Sequence, residues 1–427
     1  MNSSTIKKVP VNKLEVGMFV NDFNDEWQDP DDHGKDEKFS RNPRKLNTGQ
    51  EIQSVIKQGI KETFIDITKG KDAEGQTKAE IETELQAQLM ALDYDNEEDM
   101  VMPDHPPTSF EEELEKAADV KSQARKLVGN ILGDARMGKQ VSLEAVKDTV
   151  REMADSMFRN PDAILSLSII KSRDEYTFMH SVNVGVFLMS FCRSMDMDEE
   201  EIIQIGVGGM LHDIGKMRTP VEILNKQGKL TDDEFKQMQE HVVFSRTILE
   251  ETDGMELNSI EVASEHHERV DGSGYPNKLK GDQISQAGQM SAIVDVYDAI
   301  TSDRCYHKGN LPTVALQRMM GWSKSHFNPE LLQQFIQCVG IYPISTLVRL
   351  ENNLLGVVFK SNSQSLLHPI IKIVADAKRK KHLNPMELDL LKYRGKYDNG
   401  FRIIRTENPE VWKINPKKFM PNPKLYK

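Results

Sequence analysis

The chain is poor in cysteine. Cys192, Cys305 and Cys338 are the only three in 427 residues, an odd and widely spaced set that excludes a disulfide framework. No apolar run approaches the ~18 residues needed to cross a bilayer. The opening MNSSTIKKVPVNKL lacks the apolar stretch of a signal peptide, so the expected location is cytoplasmic. Basic charge is also in deficit. Lys and Arg number 55 against 67 Asp and Glu, a net charge of −12, which argues against duplex nucleic acid bound through a broad basic surface. A small anion held by a local group of Lys and Arg is not excluded. What the chain does have is material for a core, at 38% hydrophobic and 29% charged, and a length that predicts about two or three domains.

Residues 1–70 read as a small α+β domain with a regulatory or interaction role. KKVPVNKLEVGMFV alternates apolar and polar positions, and EIQSVIKQGIKETFIDI reads as a helix, a stop at Gly59, then a β-branched strand. The loop between them carries Trp27, Asp31, Asp32 and His33 without forming a chemical constellation. Residues 71–115 read as an acidic linker, because Asp93 to Glu115 contains ten acidic residues and no Lys or Arg. Such a stretch is either a solvated connector or a docking segment for a basic protein partner.

Residues 116–340 are expected to be helical. SFEEELEKAADVKSQARKLVGNIL opens on a Ser-led capping signature, and VSLEAVKDTVREMADSMFRN stops before Pro161. Further helices are predicted at 174–194, 198–213, 231–252, 257–267, 284–303 and 328–338. The helices around 111–157 are candidates for a homodimer contact. After residue 340 the period changes to two. STLVRLENNLLGVVFKSN reads as two strands turning at Glu351–Asn353, and PIIKIVAD as a third, which makes 341–427 a β appendage and tail. The expected fold is therefore mainly α.

The chemistry concentrates in a few side chains. His180 and His241 each sit on an amphipathic helix and would, alone, read as hydrogen-bonded core histidines. Asp295 lies in the apolar run AIVDVYDAITSDR, where an unpartnered carboxylate is costly. His212 and Asp213 end the Gly-rich helix GVGGMLHDIGK, with Lys216 three residues on. His266 and His267 precede ERVDGSGYP. Adjacent helical positions point about 100° apart, so one of this pair would complete a metal's shell while the other reaches its edge or a substrate oxygen. Together, five imidazoles and two carboxylates make a ligand set suited to divalent Fe, Mn or Zn. Two ions sharing one carboxylate suit in-line displacement at phosphorus, with Lys216 meeting the charge that gathers there.

His212–Asp213 with Lys216, followed in order by HHERVDGSGYP, resembles the HD-GYP subgroup of the HD-domain phosphohydrolases, bacterial enzymes that hydrolyse cyclic di-GMP. The resemblance is dense over about residues 165–340 and includes YTFMHSVNV, DVYDAITSDRCYH and IYPISTLVRL. VPVNKLEVGMFV and IKETFIDITKG are similar to a small domain of unknown function often found ahead of HD-GYP domains. The resemblance implies a helical bundle around a metal site. His180, His212, Asp213 and Asp295 would hold one metal. Asp213 would bridge to a second, held by His241, His266 and His267 in some combination. It further implies that a metal-bridging hydroxide attacks phosphorus, converting cyclic di-GMP to pGpG, with either pGpG or GMP as the end product. Lys216 would contact a phosphate, and Tyr275 and Arg304 would position the dinucleotide. Asp271 and Gly272 would shape the turn, with Gly274 letting the backbone pass close to it.

Two positions depart from the family pattern. Tyr176 stands where some members carry a third-metal Glu, with Glu175 adjacent but about 100° away, so two metals, Fe or Mn, are expected. His307 stands where some members have a phosphate-binding Lys, with Lys308 next to it. Alternatives are another cyclic dinucleotide such as cyclic GMP-AMP as substrate, or a weakly catalytic cyclic di-GMP sensor acting through protein contacts.

Overall fold

The computed structural model describes residues 3–22, 42–57, 60–93, 108–170, 176–226, 228, 230–303, 309–323, 325–362, 364–394 and 400–426. Two compact units form, Met1–Ala91 with Pro220–Gln239, and Leu92–Thr219 with Glu240–Lys427.

In the first unit, β1 (Ile6–Pro10), β2 (Phe19–Asp22), β3 (Arg44–Lys45), α1 (Gly49–Lys57) and β4 (Glu62–Asp66) precede α2 (Lys78–Met90). The antiparallel sheet runs β1-β4-β2-β3. Alternation along the strands turns Val9, Val20 and Ile65 inward, where they pack with Val11, Leu14, Met18, Leu46, Val55 and Ile60. Trp27, Asp31, Asp32, His33 and the Gly59 stop lie outside the described residues.

Within 71–115, residues 71–93 and 108–115 are described and hold one whole helix and the start of another. Thr77 and Glu80 form a reciprocal capping box that starts α2, and Ser109 with Glu112 does the same for α3 (Phe110–Arg136). Acidic residues in a first turn favour the helix dipole, so the charge that suggested a linker serves in part as helix-starting signal.

In the second unit α3 is followed by α4 (Leu143–Arg159), α5 (Pro161–Ile169), α6 (Tyr176–Ser194) and α7 (Glu199–Leu211). Glu113 of α3 is buried, and its carboxylate accepts from Arg159 Nε at 2.8 Å, Arg159 Nη2 at 2.9 Å and Ser156 Oγ at 2.8 Å. That bidentate pairing ties α3 to the end of α4. The chain then passes through the first unit, where α8 (Val221–Leu224) and the start of α9 (Asp232–Glu250) bury Ile223, Leu230 and Met238. Back in the second unit come α10 (Leu257–Glu265), α11 (Gln286–Thr301), α12 (Pro312–Trp322) and α13 (Pro329–Val339). Helix α11 is buried along nearly its whole length, as its apolar sequence requires.

The C-terminal strands are β5 (Leu347–Leu350), β6 (Leu354–Lys360), β7 (Ile370–Asp376), β8 (Lys381–Asp389) and β9 (Ile403–Thr406), in antiparallel order β8-β7-β6-β5-β9. The predicted turn joins β5 to β6, with Asn353 at φ 67°. Two strands beyond the predicted three complete the sheet. It belongs to the helical unit. Phe359 packs edge-on to Phe110 at 5.9 Å, Ser361 Oγ donates to Asp162, and the Tyr426 hydroxyl meets Ser166 Oγ at 3.2 Å. The chain is mainly α. Among the described residues no helix is long and apolar enough to cross a membrane.

Candidate metal centre

Helix α7 ends at Leu211, so His212 and Asp213 lie at the start of a tight turn that continues through Ile214–Arg218. This turn rests directly on α9. A Cβ at Gly215 would lie 2.0 Å from His241 O and 2.4 Å from Ser245 N, so only glycine fits. Ser245 Oγ accepts from Gly215 N–H at 2.9 Å and donates to His212 O at 2.6 Å. The HD pair is thereby locked in place against the helix that carries His241.

His180 of α6 and Asp295 of α11 reach the same point. His180 Nε2 lies 3.0 Å from Asp295 Oδ1 and 3.9 Å from Asp213 Oδ2. His212 Nε2 lies 3.4 Å from Asp213 Oδ2 and 3.8 Å from Asp295 Oδ1. The other oxygen of Asp213 faces a second set, with Oδ1 3.4 Å from His241 Nε2 and 3.8 Å from His266 Nε2. Candidate ligand atoms of His180, His212 and Asp213 lie within 4.8 Å of one another, as do those of His241, His266 and His267. One carboxylate thus joins two buried triads. Lys216 Nζ donates to Asp213 Oδ2 at 2.8 Å.

The expected divergence of His266 and His267 does not occur. Helix α10 stops at Glu265, so helical spacing no longer governs the pair. Their rings come within 4.2 Å and both face His241. Behind them Tyr275 stacks on His267, ring centroids 4.7 Å apart and planes 25° apart. The turn is tight because Gly274 has no side chain. A Cβ there would lie 2.4 Å from Arg269 N and 2.5 Å from His267 O. Gly272 takes φ 79°, and Asp271 Oδ1 accepts from Ser273 N–H at 2.8 Å.

Asp298, one turn after Asp295, was not singled out from sequence. Its Oδ2 accepts from His180 Nδ1 at 2.8 Å, and its side chain is fully buried. Spacing of three in an apolar helix places both carboxylates on one face, and that spacing was the available signal. The Nδ1 atoms of His212 and His266 lie 2.8 Å from Gly209 O and 3.0 Å from Ala263 O. Donation to those carbonyls leaves the Nε2 lone pairs aimed inward.

The electrostatics match that assignment. Burial drives His212 below the ordinary histidine range, and burial with the neighbouring imidazoles drives His266 well below it. Burial alone would raise Asp213, but Lys216, His212 and His241 together hold it well below the usual carboxylate range. For His180, burial opposes charge, yet Asp295 and Asp298 outweigh it and lift the pKa to about 9. His212 Nε2 and Asp213 Oδ1 are buried without a hydrogen-bond partner. Each orphaned group costs roughly 1–3 kcal/mol, a cost that cations at the two histidine sets would remove. The imidazole and carboxylate donors therefore fit divalent metal.

Arg304, His307, Lys308 and Glu175 lie outside the described residues, and Tyr176 is described by its backbone alone.

Residues 165–331 match the HD domain family, and residues 6–146 match a domain of unknown function, DUF3391. The chain is 36% identical over 407 residues to the cyclic di-GMP phosphodiesterase PA4108 of Pseudomonas aeruginosa, covering 95% of this chain and 93% of that protein. It is 31% identical over 192 residues to 3′3′-cGAMP-specific phosphodiesterase 2 of Vibrio cholerae, covering 44% of this chain and 37% of that one. It is 34% identical over 187 residues to a cyclic di-GMP phosphodiesterase of Thermotoga maritima, covering 44% and 50%.

Proposed function

This chain belongs to the HD-GYP family of HD-domain proteins, with a DUF3391 domain ahead of the HD domain, and from that premise we propose that it hydrolyses cyclic di-GMP to pGpG. In the first step water's oxygen bonds to phosphorus, the P–O3′ bond breaks, and the 3′-oxygen leaves as a hydroxyl. The observation that carries this reading is Asp213, whose two oxygens face separate histidine sets.

His180, His212, Asp213 and Asp295 would hold one divalent ion. Asp213 with His241, His266 and His267 would hold another, iron or manganese by the donor set. Such ions supply Lewis acidity toward phosphoryl oxygens and toward water. The protein's own side chains do the rest. Lys216, whose Nζ donates to Asp213 Oδ2, would turn to a phosphate oxygen when substrate enters. Asp298 fixes the tautomer of His180. Tyr275, Gly274 and Arg304 would bind and orient the dinucleotide. The N-terminal domain acts as a regulatory module.

Anaerobically purified protein loaded with Fe(II) or Mn(II) should convert cyclic di-GMP to pGpG, and Asp213→Ala should not. Activity surviving that substitution would sink the reading. Because a relative is named for 3′3′-cGAMP, the same assay run with that dinucleotide distinguishes the two substrates.

A further inference from the structure

Glu268 directly follows His267 and is 1% exposed. Among the described residues, the hydrogen-bond partners of its carboxylate are backbone amides rather than a cation. Oε1 accepts from Asn277 N–H at 2.7 Å and Oε2 from Leu279 N–H at 3.0 Å. A buried carboxylate with amide partners alone is an expensive way to hold a surface turn. Its placement is informative. Between the two amides sits Lys278 at φ 56°, a left-handed backbone that a residue with a long side chain adopts only when its surroundings hold it there.

That turn is the continuation of Tyr275. The Tyr275 ring stacks on His267, and Tyr275 N–H donates to His267 O at 3.1 Å. The chain therefore makes a closed circuit. It leaves His267, loops through Gly274 and Tyr275, and is clamped at residues 277–279 by the side chain next to His267. The other side of the loop is also fixed, because Val270 N–H donates to His326 O at 3.3 Å and Asp271 N–H to Ser325 O at 3.1 Å.

We propose that Glu268 is a positioning residue that holds the Tyr275 ring against His267 and so sets the plane of that imidazole in the second histidine triad. The proposal rests on the metal-centre reading above. Glu268 acts through the 276–279 turn, not on substrate. Removing its negative charge while keeping its shape lets the turn relax, the stack open and His267 rotate. Changes to groups that orient a metal-binding histidine typically cost 10–100-fold in metal affinity.

The test uses the full chain in two measurements. In metal-free protein with isotope-labelled histidine, the Tyr275 ring current marks the His267 imidazole resonances, and Tyr275→Leu defines the unstacked position. Glu268→Gln should move the His267 signals toward that position and leave those of His180 and His212 in place. In Mn(II) titrations, Glu268→Gln and Tyr275→Leu should each bind the first ion as wild type does and the second 10–100-fold more weakly. Should Glu268→Gln fold poorly, the double variant with Lys278→Gly relieves the left-handed residue and gives the same histidine readout. His267 resonances unmoved by the loss of Glu268, or a second ion bound with wild-type affinity in Glu268→Gln, would overturn the proposal. A wild-type chain that takes up a single Mn(II) would instead overturn the two-metal reading, while the metal-free spectra still report on the stack.

Discussion

Replacing Asp298 with asparagine probes the centre without touching a proposed metal ligand. The side chain is fully buried and accepts from His180 Nδ1 at 2.8 Å, so Asp298→Asn keeps the volume and one acceptor but removes the charge. In metal-free protein Asp295 and Asp298 together lift His180 to about 9. A histidine whose folded pKa lies above its unfolded value of ~6.5 contributes stability that is fully present below ~6.5. That contribution is lost as pH rises through about 9. A shift of this size corresponds to at most about 3 kcal/mol. Urea unfolding of the metal-free wild type should therefore show stability falling between pH 6.5 and 9 by a detectable part of that amount, and Asp298→Asn should show a smaller fall. With metal present, the variant should bind about 10–100-fold more weakly, or roughly 1.4–2.7 kcal/mol. Identical pH dependence and identical metal affinity in the two proteins would refute the role given to Asp298.

Three further outcomes are expected. Lys216→Ala should lower kcat/KM for cyclic di-GMP at least tenfold, or about 1.4 kcal/mol, while metal content by elemental analysis stays at the wild-type level. Gly215→Ala forces a Cβ into the backbone of α9 and should destabilise the protein by about 1–3 kcal/mol with loss of metal binding, both visible in thermal melts with and without EDTA. Glu113→Ala strips a buried carboxylate from Arg159, whose side chain is partly exposed; urea titration should register a loss of about 2–4 kcal/mol with activity retained at low temperature.

The side chains that meet at the centre were largely readable in the chain. Histidines and carboxylates inside apolar helices are costly unless something uses them, and their order along the sequence carried the family likeness. Less readable was anything that depends on where a helix stops. His266 and His267 looked divergent only because helical spacing was extended one residue past Glu265. Asp298 went unremarked although it shares with Asp295 the same buried, apolar helix. Helix α2 was passed over because it precedes the acidic run inside the stretch read as a linker, although its capping box is explicit at Thr77 and Glu80. Strand β8 escaped notice because KHLNPMELD is exposed almost throughout, and an edge strand without an inward face leaves no alternating pattern.

The way the C-terminal strands rest on α5 bears on how this protein should be handled at the bench. Tyr426 is buried and reaches Ser166, and Ser361 holds Asp162, so one short helix is gripped at its first turn and near its middle from that side. In sequence, α5 is the helix immediately before α6 and its His180. A label or substitution placed at Tyr426 would open its seat on Ser166, and the disturbance would travel along α5 toward the helix that carries His180. Activity lost in this way would be an artefact of packing and would say nothing about the metal centre itself.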